Sequence, residues 1–263
     1  MTATVPSADG TPIAFDTYGS GSPVLLVGGA VNDRTTVAAL ATVLADAGFT
    51  AVAFDRRGRG DSGDAPVYSV EREIDDVAAL IETVGGQAAV FGHSSGAILS
   101  LEAAARGLPI TKVAVYEPPF ILDGARPRPA PDLVDRVNAR LSADDRDGAV
   151  ELFLTEGTGA PAEIVAAMKA APVWGWFTGL AHTLPYDLTI CGPGNPFPAD
   201  HLSAITAPAL SLSGGAGEAW MKAAAQAVAT AVAHGRWEEV PGQDHGVLNA
   251  PESLREVLTT FLK

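Results

Sequence analysis

The sequence has few of the residues on which several classes of protein depend. Its 263 residues include one cysteine, Cys191, so a disulfide framework and a cysteine-ligated metal cluster are excluded. Aromatic residues make up only 6% of the chain. No uninterrupted apolar run approaches the roughly 20 residues that a membrane-spanning helix needs. These absences argue against a disulfide-stabilised secreted scaffold and against a membrane-spanning protein.

Basic residues are also scarce. Seventeen Lys and Arg stand against 31 Asp and Glu, which gives a formal net charge of -14. This charge repels phosphate backbones and anionic lipid surfaces, so we expect neither a nucleic-acid nor a membrane partner. The opening stretch MTATVPSADGTPIAF has neither the basic nor the apolar region of a secretory signal, and we therefore predict a cytoplasmic protein that acts on a small molecule.

The residues that are present predict a globular α/β chain. Hydrophobic residues make up 47% and charged residues 18%. Alternation over 11–18 predicts an edge strand, which follows a shorter strand near 4–6. Short apolar runs that suit strands covered on both faces occur at 23–27, 50–54, 88–91, 112–116 and 209–213. Amphipathic helical patterns occur at 35–47, 69–84, 97–106, 219–233 and 251–262. This alternation predicts a doubly wound, mostly parallel sheet.

The alternation stops between about residues 120 and 207. This segment begins with the Pro-rich stretch ARPRPAPD and continues with helical patterns. Ser142, three residues before Asp145, predicts the N-cap of one of these helices. Another predicted helix, 161–176, runs into an aromatic cluster. Because the strand–helix rhythm resumes at 209, we predict one core made of 1–119 and 208–263, with 120–207 as a helical insertion.

Glycines flank a serine in the stretch VFGHSSG, residues 90–96. Ser94 lies between a predicted strand and a predicted helix, where a sharp turn lifts a side chain above the sheet edge. Gly92 and Gly96 suit such a turn, because bulky side chains at these positions would collide across it. In this G-x-S-x-G pattern the sequence resembles the α/β-hydrolase superfamily. The resemblance covers nearly the whole chain and implies that the helical insertion is a cap over the active site.

Three further stretches support the resemblance. Residues 55–63, DRRGRGDSG, fit the superfamily's D-x-R-G-x-G-x-S loop. Gly28-Gly29-Ala30 lies where these proteins usually carry His-Gly, so Gly28 departs from the pattern. The resemblance implies an oxyanion hole formed by the N–H groups of Ala30 and Ser95. It also implies that His245, which follows the last predicted strand, is the catalytic base.

The acid of the triad departs from the superfamily's pattern. The usual Asp, just after the strand that follows the insertion, aligns with Gly217. Glu117 is the first candidate, because it directly follows the strand 112–116. Some superfamily members, haloalkane dehalogenases among them, look similar in drawing their acid from the end of this strand. Glu218 is the alternative, one residue beyond the expected position. Asp244 ranks last, because it would have to fold back on its neighbour His245.

The residues of the insertion indicate an apolar pocket with few polar groups. Its aromatic and sulfur-containing candidates for the lining are Trp174, Trp176, Phe177, Phe153 and Met168, and its polar candidates are His182 and Tyr186. The sequence has no glycine loop suited to a nucleotide and no pattern of metal ligands, so no cofactor and no metal are predicted.

The sequence therefore predicts a serine hydrolase that cleaves a small, largely apolar ester, thioester or lactone through an acyl-enzyme on Ser94. Two alternatives stay open. One is a C–C bond hydrolase or a perhydrolase that uses the same triad. The other is a ligand receptor of the same fold with very slow turnover. The oligomeric state is not predicted.

Overall fold

Within residues 2–263, which the computed structural model describes, eight strands form one sheet. The strands are β1 (Ala3–Pro6), β2 (Pro12–Gly19), β3 (Ser22–Val27), β4 (Phe49–Phe54), β5 (Ala88–His93), β6 (Ile110–Tyr116), β7 (Ala209–Gly214) and β8 (Gly235–Val240). Their order across the sheet is β1-β2-β4-β3-β5-β6-β7-β8. The first two strands pair antiparallel and the other six run parallel. The predicted mostly parallel, doubly wound sheet is confirmed.

Helices cover both faces of the sheet, as the apolar character of the parallel strands predicts. One face packs against α2 (Val70–Thr83), α3 (Ser95–Ala105) and α10 (Ala219–Ala231). The other face packs against α1 (Arg34–Asp46) and α11 (Arg255–Leu262). The sequence pattern continues the last helix back to residue 251, but Pro251–Leu254 forms a separate 3-10 turn.

The segment between β6 and β7 is helical throughout its regular structure. In the described chain it contains α4 (Leu133–Ser142), α5 (Arg146–Leu152), α6 (Ala162–Lys169), α7 (Val173–Gly179), α8 (Leu184–Cys191) and α9 (Ala199–Leu202). These helices share a hydrophobic cluster of their own, which includes Leu133, Val137, Val150 and Leu184. We call residues 120–207 the helical insertion.

Two sequence predictions within the insertion are wrong. Ser142 is the last residue of α4 and not an N-cap. Asp145 takes that role for α5, because the chain reverses at Asp144 (φ 58°) and brings the Asp145 carboxylate within 2.8 Å of the Gly148 N–H. The single helix predicted over 161–176 is two helices, since Pro172 begins a new one.

Among residues 2–263, the helices are all too short or too polar to cross a membrane.

Candidate active site

The turn between β5 and α3 explains the two glycines around Ser94. Ser94 has φ 57° and ψ -125°, a backbone conformation that non-glycine residues rarely adopt. A Cβ at Gly92 would lie 2.4 Å from the carbonyl oxygen of Gly96 and from Ser100 Oγ. A Cβ at Gly96 would lie 2.4 Å from the carbonyl oxygen of Val27. Only glycines allow the strand and helix to approach closely enough to hold Ser94 at the tip of this turn.

The loop after β8 brings His245 to Ser94. His245 Nε2 lies 3.1 Å from Ser94 Oγ, so the hydroxyl can donate its proton to the ring. His245 Nδ1 lies 2.7 Å from Glu117 Oε2 on the other side. The structure thus joins the predicted nucleophile, the predicted base and the first candidate acid in one hydrogen-bonded chain.

Glu117 is held firmly at the carboxyl end of β6. Its side chain is fully buried, and its Oε1 accepts a hydrogen bond of 2.9 Å from the backbone N–H of Gly214. Its φ of 46° lies in the left-handed region, and this strained backbone is followed by Pro118. A Cβ at Gly217 would lie 2.7 Å from Glu117 Oε1. The carboxylate therefore fills space next to the position where the superfamily's Asp would begin, which explains why residue 217 is glycine.

The other two candidate acids do not contact the imidazole. Glu218 Oε2 accepts a hydrogen bond of 2.5 Å from Trp220 Nε1. Asp244 Oδ1 accepts one of 2.8 Å from the N–H of Gly246. The geometry therefore favours Glu117 as the partner of His245.

A comparison with known proteins identifies the family of the chain. The profile of the alpha/beta hydrolase family matches residues 24–257, which is most of the chain. The chain belongs to the alpha/beta hydrolase family. The prediction from the sequence motifs is confirmed, and so is the predicted fold class.

This α/β hydrolase is similar over its whole length to an alpha/beta hydrolase from Sphaerobacter thermophilus DSM 20745. The TM-score is 0.94, the identity is 49%, and the match covers 99% of this chain and 100% of the other. An esterase from Exiguobacterium antarcticum has the same fold, with a TM-score of 0.76, 20% identity, and coverage of 100% of this chain and 99% of the other. The uncharacterized hydrolase YraK of Bacillus subtilis (strain 168) is 34% identical over 117 residues, which is 43% of each chain. The chain thus spans less than half the length of this curated relative, and together the comparisons support a hydrolase enzyme.

A second histidine supports the loop that carries His245. His93, the residue before Ser94, has its Nε2 2.9 Å from the backbone carbonyl oxygen of His245, so this nitrogen carries a proton and donates it. Burial, with a smaller effect of the neighbouring His245, lowers the pKa of His93 to about 3, and the ring stays neutral near pH 7. Tyr116 OH donates to the carbonyl oxygen of Asp244 at 2.8 Å. Sequence reasoning missed both residues, although a histidine that ends an apolar strand is a detectable signal.

The predicted oxyanion-hole residues lie at the same place. Ala30 and Ser95 line one small cavity together with Ser94 and His245. Ser95 is the first residue of α3, where backbone N–H groups have no partner within the helix. Ala30 follows β3 in a turn that is closed by a 3.1 Å hydrogen bond from the Gly29 N–H to Asn32 Oδ1. Their role as donors to an oxyanion stays a prediction.

Four charged residues form a buried ion cluster beside this cavity. Arg56 donates to both oxygens of Glu73, at 2.7 and 2.8 Å, and to Asp187 Oδ1 at 2.8 Å. Arg59 donates to both oxygens of Asp187, at 3.0 and 2.8 Å. All four side chains are at most 1% exposed. Burial raises the pKa of Asp187, but the charges of Arg59 and Arg56 outweigh this effect and lower it, so the carboxylate is ionised.

Sequence reasoning identified the arginine loop but missed Asp187, which α8 of the helical insertion contributes. The signal was a single carboxylate in the otherwise uncharged stretch LPYDLTIC. Within residues 2–263, no three His, Cys, Asp or Glu side chains lie together in a way that suits a metal ion.

The cavity at Ser94 has a volume of about 100 Å³. Its larger apolar lining residues are Phe153, Leu188, Trp220 and Met221. The sequence predicts Phe153 at this place. The lining of this cavity does not include the other residues predicted for the pocket: Trp174, Trp176, Phe177, Met168, His182 and Tyr186.

These side chains have other partners. Trp174 donates to Asp147 at 2.6 Å, and Trp176 donates to the carbonyl oxygen of Val31 at 2.7 Å. Tyr186 stacks on Tyr68 at 4.1 Å between ring centroids. Three further partners follow: His182 Nε2 lies 2.7 Å from the carbonyl oxygen of Gly58, Tyr186 OH donates to Asp64, and Phe177 and Met168 pack against the insertion's hydrophobic cluster. These side chains therefore stabilise the helical insertion and its contacts with the core.

Proposed function

We propose that this α/β hydrolase is a serine hydrolase that cleaves esters, thioesters or lactones of short, apolar acyl groups through an acyl-enzyme on Ser94. The observation that carries the proposal is the hydrogen-bonded chain from Ser94 through His245 to Glu117, which opens on a small, mostly apolar cavity.

The proposed reaction follows from the order of these groups. His245 Nε2 takes the hydroxyl proton as Ser94 Oγ attacks the acyl carbon, and Glu117 stabilises the imidazolium that forms. The N–H groups of Ala30 and Ser95 bind the oxyanion of the tetrahedral intermediate. The imidazolium then gives its proton to the leaving oxygen or sulfur. A water molecule, deprotonated by His245 in turn, then attacks the acyl carbon. The bond to Ser94 Oγ breaks, the imidazolium returns the proton to Oγ, and the carboxylic acid leaves.

The cavity argues for a short acyl group. Its volume of about 100 Å³ is well below the roughly 300 Å³ at which pockets for drug-sized ligands begin. The charges of the buried ion cluster balance, since two arginines face two carboxylates, so the cluster offers no net charge to select a charged acyl chain. Size and apolarity are therefore the selecting properties.

We further propose that the helical insertion, residues 120–207, acts as a cap that sets substrate choice. It contributes half of the residues that line the cavity: Phe153, Gly157, Thr158, Asp187, Leu188, Cys191 and Asn195. In this proposal the core, 1–119 and 208–263, supplies the catalytic groups and the insertion supplies the shape of the acyl site.

Hydrolysis of p-nitrophenyl esters tests the proposal. We expect kcat/KM to be highest for acetate or butyrate and to fall by roughly tenfold or more for octanoate, because added methylenes do not fit the cavity. Ser94→Ala should abolish turnover. Ser203→Ala, an exposed serine whose hydroxyl bonds only to the Asp200 carbonyl oxygen among the described contacts, is the matched control and should leave it unchanged. Retained activity in Ser94→Ala, or a preference for octanoate, would contradict the proposal.

A further inference from the structure

We infer that Arg59, held in place by Asp187 of the helical insertion, is a positioning residue that orients and polarises the Gly29–Ala30 peptide of the oxyanion hole. The inference rests on the proposed function, because it concerns how that reaction's oxyanion is bound.

The first observation is the contact that Arg59 makes with this peptide. Its Nη1 donates to the carbonyl oxygen of Gly29 at 2.6 Å and to that of Asn32 at 3.3 Å. The carbonyl of Gly29 and the N–H of Ala30 belong to the same planar peptide unit, and in a trans unit they point in opposite directions. The described chain has no cis peptide bonds. Holding the Gly29 oxygen therefore fixes the direction of the Ala30 N–H.

The second observation is the charge on the donor. A guanidinium makes a charge-assisted hydrogen bond, which is stronger than one between neutral groups. A bond to the carbonyl also polarises the peptide and makes its N–H a better donor to a developing oxyanion. The Arg59 side chain is fully buried, so solvent does not screen this effect.

The third observation is how the rest of the loop is held. Arg56 donates to the carbonyl oxygen of Gly28 at 3.3 Å, and Trp176 donates to that of Val31 at 2.7 Å. Val31 has a φ of 51°, which is strained for a β-branched residue. With Arg59 on Gly29 and Asn32, four of the five carbonyls in residues 28–32 accept from side chains outside the loop. The shape of this loop is therefore imposed by its surroundings.

The fourth observation links the second predicted donor to the same cluster. Asp187 accepts both hydrogen bonds from Arg59 Nη2 and one of 2.7 Å from Ser95 Oγ. One carboxylate on α8 thus fixes the cation behind Ala30 and the side chain of Ser95. Docking of the insertion and the geometry of the oxyanion hole are coupled through this residue.

A contribution to fold stability alone does not explain the buried ion cluster. Buried ion pairs can often be replaced by uncharged residues without loss of stability. Arg59 Nε is moreover buried without a hydrogen-bond partner among the described residues, which is unfavourable. The guanidinium of Arg59 therefore acts through its two Nη atoms, which bind the loop carbonyls and Asp187.

The test compares Arg59→Gln, Arg59→Lys and the double variant Arg59→Gln/Asp187→Asn with the wild-type enzyme. Arg136→Gln is the matched control, because Arg136 makes an exposed ion pair with Glu156 on the surface of the insertion. We measure kcat and KM for p-nitrophenyl acetate, and the Ki of an aliphatic trifluoromethyl ketone, whose adduct with Ser94 carries an oxyanion. Circular dichroism and thermal melting check that each variant is folded.

We expect Arg59→Gln to lower kcat by about 30- to 100-fold, since removing an oxyanion-hole donor outright costs about 100-fold or more. KM should change by less than about threefold, because Arg59 does not line the cavity, and Ki should rise in parallel with the loss in kcat. Lysine should recover part of the loss by restoring the charge. The double variant should stay slow, because it removes the Arg59 cation, while Arg56 still balances the charge of Glu73. Arg136→Gln should match the wild type.

A folded Arg59→Gln or double variant with kcat and Ki within about threefold of the wild type would overturn the inference. If Arg59→Gln fails to fold, the inference is tested with Arg59→Lys and with the double variant, which keeps the net charge of the buried cluster unchanged. Failure of the proposed function gives a different result, because the wild-type enzyme itself would then neither turn over the ester nor bind the ketone through Ser94.

Discussion

Replacing Glu117 by glutamine places an amide where one oxygen accepts from Gly214 N–H and the other from His245 Nδ1. If the amide oxygen keeps the Gly214 bond, the NH₂ group faces His245 Nδ1. The ring must then carry its proton on Nε2, where it can no longer accept one from Ser94. If the amide is turned round, two donors face each other at Gly214, and a buried unsatisfied donor costs about 1–3 kcal/mol. The first orientation is therefore favoured, and it removes the base.

The size of the loss follows from this tautomer. In other serine triads the amide variant of the acid loses about 10⁴-fold in kcat. We expect a loss of about 10³- to 10⁴-fold here, which is ~4–5 kcal/mol of transition-state stabilisation. KM should hardly change, since Glu117 is fully buried and does not line the cavity.

Steady-state hydrolysis of p-nitrophenyl acetate measures the effect, with Glu218→Gln and Asp244→Asn as matched controls that should stay close to wild type. Glu117→Gly/Gly217→Asp should recover part of the activity, because it clears the space and supplies a carboxylate at the superfamily's usual position. A Glu117→Gln enzyme that keeps a third or more of its kcat would refute the reasoning, and so would loss of activity in Glu218→Gln alone.

Three further predictions concern the turn that presents Ser94, His93 and the cavity at Ser94. Gly92→Ala puts a Cβ 2.4 Å from the carbonyl oxygen of Gly96, so urea unfolding should show a loss of about 1–3 kcal/mol together with lower kcat; full stability and activity would contradict the account of the turn. The pKa of His93 is about 3 in the folded protein, against an ordinary value of 6.5. As the pH drops below about 6.5, the unfolded chain therefore binds a proton that the folded protein does not, and the free energy of unfolding falls. Between pH 8 and pH 5 the wild type should therefore lose about 2 kcal/mol more than His93→Gln in urea unfolding, and equal losses would show that His93 is not buried neutral. Leu188→Ala widens the cavity and should raise kcat/KM for octanoate relative to acetate, at a cost of about 2–5 kcal/mol in stability; an unchanged ratio would mean that Leu188 does not limit acyl length.

Local patterns in the sequence make the sheet and the turn at Ser94 predictable. Strands buried on both faces produce uniform apolar runs, and the helices between them keep a 3.6-residue period, so both signals survive in short windows. The glycines at 92 and 96 are required by steric contacts only a few residues away in the chain or at the end of the neighbouring β3. The turn that presents Ser94 can therefore be predicted from the sequence.

The partner of His245 needed more than local pattern. Glu117 and His245 are 128 positions apart, and the three candidate carboxylates all follow predicted strands or lie in adjacent loops. The sequence favours Glu117 over the other two. The distances that separate it from Glu218 and Asp244 depend on the packing of β6 against β7, which no single stretch encodes.

The insertion was the least predictable part. Its aromatic residues were expected in the pocket because they are large and apolar, but the indole N–H groups of Trp174 and Trp176 have partners elsewhere, which fix the directions of both side chains. The sequence does not predict the burial of Asp187, because a carboxylate on a helix is usually exposed. Its burial depends on two arginines more than 120 residues earlier, so only the tertiary structure shows it. The cytoplasmic location and the small-molecule partner stay predictions.

The central claim is that Ser94 becomes acylated during turnover, and intact-protein mass spectrometry of acid-quenched reactions with p-nitrophenyl butyrate tests it most directly. The account predicts a mass increase of one butyryl group, mapped to the peptide that contains Ser94, which is absent in Ser94→Ala and in His245→Ala. Turnover of the ester by Ser94→Ala, or an acyl group mapped to any other residue of a competent enzyme, would contradict it.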